Sequence, residues 1–146
     1  MIRPKKFQMD PVLNYRKQIE QISQHGYFKS LEQEEVLKQQ VRALHAENLS
    51  LLQAIGEIRS GQAAFDRLPL FEDRLFFIRQ QEVIIKKNLE KQRQKTTLLR
   101  KKLLRASQKK KMLEQLKDRQ NKAYQQFLNA KEAKILDEIA VLFHKR

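Results

Sequence analysis

The chain has 146 residues, of which 33% are charged, 3 are Gly, 3 are Pro and none is Cys. A sheet protein needs many turns, so this scarcity of Gly and Pro, with abundant Leu, Gln, Lys, Glu and Arg, indicates long helices or coiled coil. The absence of Cys excludes disulfides and Cys-based zinc sites. A mean hydropathy of −0.72 and the lack of Trp favour a narrow apolar seam over a packed globular core.

The first predicted helix covers residues 11–60. Asp10 and Pro11 favour a helix start, because Asp caps well and Pro fits the first helical position. Apolar residues then recur at spacings of three and four in two series. The first series is Val12, Tyr15, Ile19 and Ile22, and the second is Leu37, Val41, Leu44, Asn48, Leu51, Ile55 and Ile58. The two series differ in phase by one residue, which predicts a bend or a loosened turn near Gly26, a poor helix former.

A connection is predicted over residues 61–68, because Gly61 can end the first helix and Pro69 can lie in the first turn of the second. The second predicted helix covers residues 69–144, and one heptad frame runs along most of it. Its apolar positions are Leu75, Ile78, Ile85, Leu89, Leu99, Leu103, Ala106, Leu113, Tyr124 and Phe127. Its polar positions are Glu82, Gln92, Thr96, Lys110, Lys117 and Gln120.

Two long heptad helices joined by a short connection predict an all-α fold. We expect an antiparallel coiled-coil hairpin in a single domain, residues 1–146, with the C-terminal helix the longer. Folding about residue 64 brings Asp10 beside roughly residue 118, and about 25 residues of the second helix then project beyond the first. Within the seam, Asn48 is either a register-fixing polar residue or a tolerated defect.

Positive charge is concentrated in residues 86–122, which contain 15 Lys and Arg against 3 Asp and Glu. The densest part is a basic stripe comprising Lys101, Lys102, Lys109, Lys110 and Lys111. Such a segment attracts nucleic acid or an acidic protein, or it is the solvated face of a coiled coil. Aromatic side chains, on which bases stack, are absent between Phe77 and Tyr124, and this absence disfavours nucleic acid.

Patterns that would indicate catalysis are missing from the sequence. His25, His45 and His144 are scattered rather than spaced as metal ligands. The three glycines stand apart, so they form no phosphate-binding loop. We therefore predict that the protein is not an enzyme and uses no cofactor or metal.

Residues 70–85, LFEDRLFFIRQQEVII, are too apolar for one narrow seam. Phe76, Phe77, Val83 and Ile84 lie partly off the frame. An apolar surplus of this kind predicts a docking patch, unless the connection folds back and covers it.

Two stretches, one near each end of the chain, carry distinctive residue patterns. The N-terminal stretch KFQMDPVLNYRKQIE (6–20) has an aromatic residue, an apolar pair and an Arg, at positions that include Phe7, Leu13 and Arg16. The C-terminal stretch LEQLKDRQNKAYQQFLNAKEAKILDEIA (113–140) has Leu-Glu-x-Leu, a basic residue and Arg, a Tyr, a Glu and a final Asp-Glu. These residues are Leu113, Glu114, Leu116, Lys117, Arg119, Tyr124, Glu132, Asp137 and Glu138. Both patterns resemble those of the flagellar export protein FliJ family.

This resemblance implies a soluble, cytoplasmic component of the flagellar type III export apparatus, peripheral at the inner membrane. Members of the family are similar to the central stalk of rotary ATP synthases, and they insert their joined helix termini into a hexameric export ATPase and stimulate it. The resemblance therefore assigns the residues matched at both ends, Lys117 apart, to binding of the ATPase ring. It also implies contacts with export chaperones and with the export gate protein FlhA, the latter through Phe77, Ile78, Gln81 and Ile84.

Three alternatives remain open at the level of sequence. The first is the equivalent stalk protein of a virulence injectisome, which is a related system. The second is a basic coiled coil that binds nucleic acid. The third is a structural homodimer, in which each long helix pairs with another chain, although we expect a monomer.

Overall fold

The computed structural model describes residues 6–61 and 65–144, and nearly all of these residues are helical. Helix α1 covers Asp10–Arg59 and helix α2 covers Leu68–His144, with lengths of 50 and 77 residues. A 3₁₀ turn, Phe65–Arg67, precedes α2, and no strand occurs within the described ranges. The two helices pack together and the second is the longer, so the prediction of an all-α antiparallel hairpin is confirmed.

The end of α1 has the geometry that its sequence predicts. Gly61 has a φ of 83°, a left-handed conformation that costs Gly little because it has no Cβ. Its backbone N–H donates to the carbonyl of Ile58 at 3.0 Å, which satisfies one of the carbonyls that a helix end leaves free. Pro69 is the second residue of α2, where its missing N–H breaks no helical hydrogen bond. Residues 62–64 of the predicted connection lie outside the described residues.

The chain divides into two compact units. The connection unit comprises Gln24–Lys102, and the terminal unit comprises the described residues up to Ser23 together with those from Leu103 onward. Each unit contains a segment of α1 and a segment of α2. The expectation of a single domain stays a prediction.

The connection unit buries an apolar seam between its two helix segments. Its buried apolar residues are Ile55, Ile58, Leu75, Ile78 and Leu89. Ion pairs cross between the helices beside this seam, joining Arg59 to Glu72 at 3.3 Å and Arg74 to Glu47 at 2.9 Å. From the first pair to the second, the residue number on α1 decreases while that on α2 increases, as expected for antiparallel helices.

A polar layer interrupts the seam of the connection unit. The hydroxyls of Ser30 and Thr96 are 2.7 Å apart and both residues are buried. The side-chain amide of Gln92 donates to the Ser30 hydroxyl at 2.8 Å and to the Ser30 carbonyl at 3.1 Å. Thr96 donates to the carbonyl of Gln92 at 2.9 Å. These polar groups are tolerated in the interior because each has a hydrogen-bond partner.

The terminal unit combines a few apolar contacts with ion pairs. Phe7, Leu13 and Ala106 are its buried apolar residues. Lys110 Nζ donates to the buried carboxylate of Glu20 at 2.8 Å. This hydrogen bond lowers the pKa of Glu20 below its ordinary value and raises the pKa of Lys110 above its own.

The terminal unit also confirms the predicted mismatch in helix length. Lys117 Nζ donates to Asp10 Oδ1 at 2.9 Å. Asp10 was expected to lie beside roughly residue 118, so the observed partner is one residue away from the expected position. Asp10 is the first residue of α1. Beyond Leu128, each described residue of α2 is exposed.

The burial pattern of α1 corrects one prediction. The second series of α1 and the frame of α2 are buried or half-buried as predicted, except at Phe127, which lies beyond the start of α1 and is exposed. In the first series, however, Tyr15 and Ile22 are 54% and 66% exposed. Counting back from Ile58 in steps of three and four shows one unbroken frame with no slip at Gly26. Its positions before Leu37 are Leu13, Arg16, Glu20, Ser23, Tyr27, Ser30 and Glu34.

Candidate docking surfaces

An apolar surface lies on the outward side of α2 in the connection unit. Phe76, Phe77, Val83 and Ile84 fall between the frame positions of the heptad, and each is about half exposed or more. Phe65, which lies in the described part of the predicted connection, is itself exposed. We name Phe76, Phe77, Val83 and Ile84 the aromatic patch.

The four residues expected to contact the export gate differ in accessibility. Phe77 is 48% exposed and Ile84 is also exposed, so their side chains are available to a partner. Gln81 is half-buried. Ile78 has 0% exposure because it belongs to the seam, so it supports the surface from below rather than contacting a partner.

Arg74 connects the aromatic patch to α1. Its guanidinium lies 5.3 Å from the centre of the Phe77 ring, within cation–π distance, and forms an ion pair with Glu47 at 2.9 Å. Sequence reasoning missed both Glu47 and Arg74. Their positions immediately beside the frame were a usable signal, because such positions supply the ion pairs of coiled coils.

The C-terminal residues of the family signature lie in the terminal unit. Leu116 and Arg119 are exposed, whereas Leu113, Glu114 and Tyr124 are half-buried. A shallow depression includes Met112, Leu113, Leu116 and Arg119. Apolar and cationic groups are therefore presented together near the place where α1 begins.

The N-terminal residues of the signature are largely enclosed. Phe7 and Leu13 are buried and Arg16 is half-buried. The first two act as packing residues in this structure, so a direct contact with a partner would fall to Arg16.

The part of α2 that follows Leu128 is exposed to solvent. We name residues 129–144 the overhang, and each of them is exposed. The acidic signature residues Glu132, Asp137 and Glu138 lie on it. Its exposed apolar residues are Ile135, Leu136, Ile139, Val141, Leu142 and Phe143. An apolar face of this width is typical of a helix that binds a partner.

The basic stripe does not present all five of its lysines equally. Lys101 and Lys102 are exposed in the connection unit, and Lys109 and Lys111 are exposed in the terminal unit. Lys110 instead points into the helix pair, where Glu20 neutralises it. Its charge is thus used for internal pairing.

Within residues 6–61 and 65–144, no group of three or more His, Cys, Asp or Glu residues could hold a metal ion. No described helix is both long and apolar enough to cross a bilayer.

The fold is an antiparallel coiled coil of two long helices, which presents exposed apolar residues on the aromatic patch and on the overhang. The family model described as flagellar FliJ protein matches residues 5–146, nearly the whole chain. The chain belongs to the flagellar FliJ protein family, and it is therefore a component of flagellar type III export. This family consists of structural stalk proteins rather than enzymes. Comparisons with curated proteins and with solved structures gave no match.

Proposed function

We propose that this protein is the stalk of the hexameric export ATPase. It binds the ATPase ring and stimulates it, and it links the ring to the export gate protein FlhA and to export chaperones. It acts from the cytoplasm, at the inner face of the inner membrane. The family assignment favours the flagellar system over a virulence injectisome.

The observation that carries this proposal is the overhang. A ring surrounds what it binds, so a helix that enters a ring must present all its sides. Residues 129–144 are exposed on every side, whereas α2 before them includes half-buried residues up to Leu128. The proposed ring-binding residues of α2 are Glu132, Asp137 and Glu138 on the overhang, and Leu113, Glu114, Leu116, Arg119 and Tyr124 before it.

The polar character of the terminal unit suits a stalk inside a ring. An asymmetric stalk meets six similar subunits in different ways, so strong anchoring to one of them would hold it there. Exposed charged pairs contribute about 1 kcal/mol or less each, which keeps contacts exchangeable. Lys101, Lys102, Lys109 and Lys111 would add longer-range attraction to acidic residues of the ring.

Two variants test whether the overhang binds the ATPase ring and the aromatic patch binds the gate protein. The first ends at Leu128, and it keeps the residues that pair with α1. We expect it to lose stimulation of ATP hydrolysis while still binding the cytoplasmic region of the gate protein. The second, Phe77→Ala, should retain stimulation and lose gate binding.

The expected measurements are ATP turnover, ring formation and affinity for the gate, with helix content as the control for folding. Within the tail, Arg119→Ala combined with Tyr124→Ala should also reduce stimulation. Full stimulation by the truncated protein would contradict the assignment of the overhang to the ring. Unchanged gate binding by Phe77→Ala would contradict the assignment of the aromatic patch to the gate.

A further inference from the structure

We propose that the aromatic patch binds an amphipathic segment of the gate's cytoplasmic region that carries apolar side chains and one carboxylate, and that Arg79 pairs with this carboxylate. The inference rests on the proposed function, because it takes the gate as the partner of the patch. It adds the chemistry of the segment and a residue that determines specificity. Arg79 matches no part of the signature used above.

The geometry around the patch points to Arg79. A shallow depression on α2 is lined by Phe76, Arg79, Gln80, Val83 and Ile84, with Gln81 at its side. Its lining is mostly apolar, and Arg79 is the one charged residue in it. A segment seated there would therefore place apolar groups against Phe76, Val83 and Ile84 and an anion beside the Arg79 guanidinium.

Arg79 lines the depression and is free to take a new partner. Glu72, Arg74 and Glu82 already form ion pairs, with Arg59, Glu47 and Lys86 respectively. Arg79 has no ion pair within residues 6–61 and 65–144. Asp73 also lacks one in those ranges, but it does not line the depression.

The register of the helix pair explains why Arg79 is unpaired. The Arg59–Glu72 ion pair joins two positions that flank the seam. One heptad farther from the connection, the equivalent positions are Leu52 on α1 and Arg79 on α2. Arg79 therefore lies opposite an apolar residue instead of a carboxylate. The guanidinium is therefore exposed to solvent.

Docking would turn this exposed charge into a selective contact. A segment that covers the depression removes water from around Arg79, which strengthens a pairing with a carboxylate. An equally apolar segment without a carboxylate would leave a desolvated charge unpaired, which is costly. Arginine suits this role because its planar group binds a carboxylate in two places.

The test uses the full chain and the cytoplasmic region of the gate protein, with affinity measured by calorimetry. We expect Arg79→Glu to weaken binding by about tenfold or more, and Arg79→Lys to weaken it less. The matched control is Arg100→Glu, since Arg100 lies three heptads further on α2 at an equivalent position. It is also exposed, and the register brings Leu31 opposite it. This control should bind within about twofold of the wild type, because it is remote from the patch.

The outcomes separate this inference from the proposed function. If Phe77→Ala weakens binding but Arg79→Glu matches Arg100→Glu, the carboxylate pairing is wrong and the gate surface stands. If Phe77→Ala has no effect, the gate assignment itself fails. Restoration of Arg79→Glu binding by one acidic-to-Lys change in the gate segment would identify the carboxylate and support the inference directly.

Discussion

In the connection unit, α1 and α2 meet through Ile55, Ile58, Leu75 and Ile78, all of which are buried. In the terminal unit the same two helices meet through the Glu20–Lys110 and Asp10–Lys117 hydrogen bonds, with few apolar residues between them. Buried apolar side chains contribute more to stability than partly exposed ion pairs do. The contrast indicates that the two helices are held together more strongly in the connection unit, which we propose contacts the gate. They are held by weaker contacts in the terminal unit, which we propose contacts the ring.

The largest effect is expected from Ile78→Ala. This side chain is fully buried, so its loss removes apolar contacts and leaves a cavity. The free energy of unfolding should fall by about 2–4 kcal/mol in urea denaturation followed by circular dichroism. Ile139→Ala on the exposed overhang is the control, with a change of about 0.5 kcal/mol or less. Equal effects of the two substitutions would remove the contrast between the regions.

The polar layer of the connection unit should show coupling between its members. Thr96→Val leaves the Ser30 hydroxyl without one of its two partners, and we expect a loss of about 1–2 kcal/mol. The double variant Thr96→Val with Ser30→Ala removes both hydroxyls of the pair, so neither is left buried without its hydrogen-bond partner. The double variant should therefore lose less than the two single variants combined, by about 1 kcal/mol. Strict additivity in a double-mutant cycle would contradict the observed hydroxyl pair.

The contribution of the Glu20–Lys110 ion pair to the stability of the terminal unit should depend on pH. Because the Lys110 hydrogen bond lowers the pKa of Glu20, this pair stabilises the fold above about pH 4.3 and loses its effect as the pH falls through the lowered value. Glu20→Gln should thus reduce the free energy of unfolding by about 1 kcal/mol at neutral pH. The difference from the wild type should shrink as the pH falls below the lowered pKa of Glu20, because a protonated carboxyl, like the amide of Gln, carries no charge. The pKa of Lys110 is raised, so its share is lost only in strong alkali. A difference that persists in acid would show that packing, not charge, causes the effect.

The smallest effect is expected from Glu72→Gln. The Arg59–Glu72 pair is exposed, and such pairs contribute about 0.2–1 kcal/mol. Raising the salt concentration should reduce the difference from the wild type further, since it screens exposed charges. A loss as large as that of Glu20→Gln would mean that location beside an apolar seam strengthens an ion pair.

Much of the fold follows from the sequence because α2 repeats apolar residues regularly. Its frame is confirmed from Leu75 through Tyr124, including polar members such as Gln92 and Lys110. The end of α1 and the start of α2 follow from Gly61 and Pro69, which mark the break between the helices. The partner of Asp10 then follows from simple counting, since the pairing is antiparallel.

The first part of α1 was mispredicted for a physical reason. Hydrophobic periodicity finds apolar residues, but the frame there consists of polar ones such as Glu20, Ser23 and Ser30. Glu20 and Ser30 are stabilised by polar partners on the other helix, and that pairing cannot be seen in one helix alone. Extending the strict spacing back from Ile58 would have found them. The candidate binding residues are harder to predict. The frame separates the seam residue Ile78 from Phe77, but the sequence of one helix does not show that Arg74 lies over the Phe77 ring.

The ion pairs between the helices also bear on the order in which the chain folds. Arg59 and Glu72 are 13 residues apart, whereas Asp10 and Lys117 are 107 apart. Closing the longer loop directly costs about 2 kcal/mol more in chain entropy, so pairing should begin beside Gly61 and proceed outward like a zipper. On the ribosome, the start of α1 must then wait for almost the whole of α2 to emerge. Polar and charged frame residues suit this delay, because they remain soluble until their partners arrive.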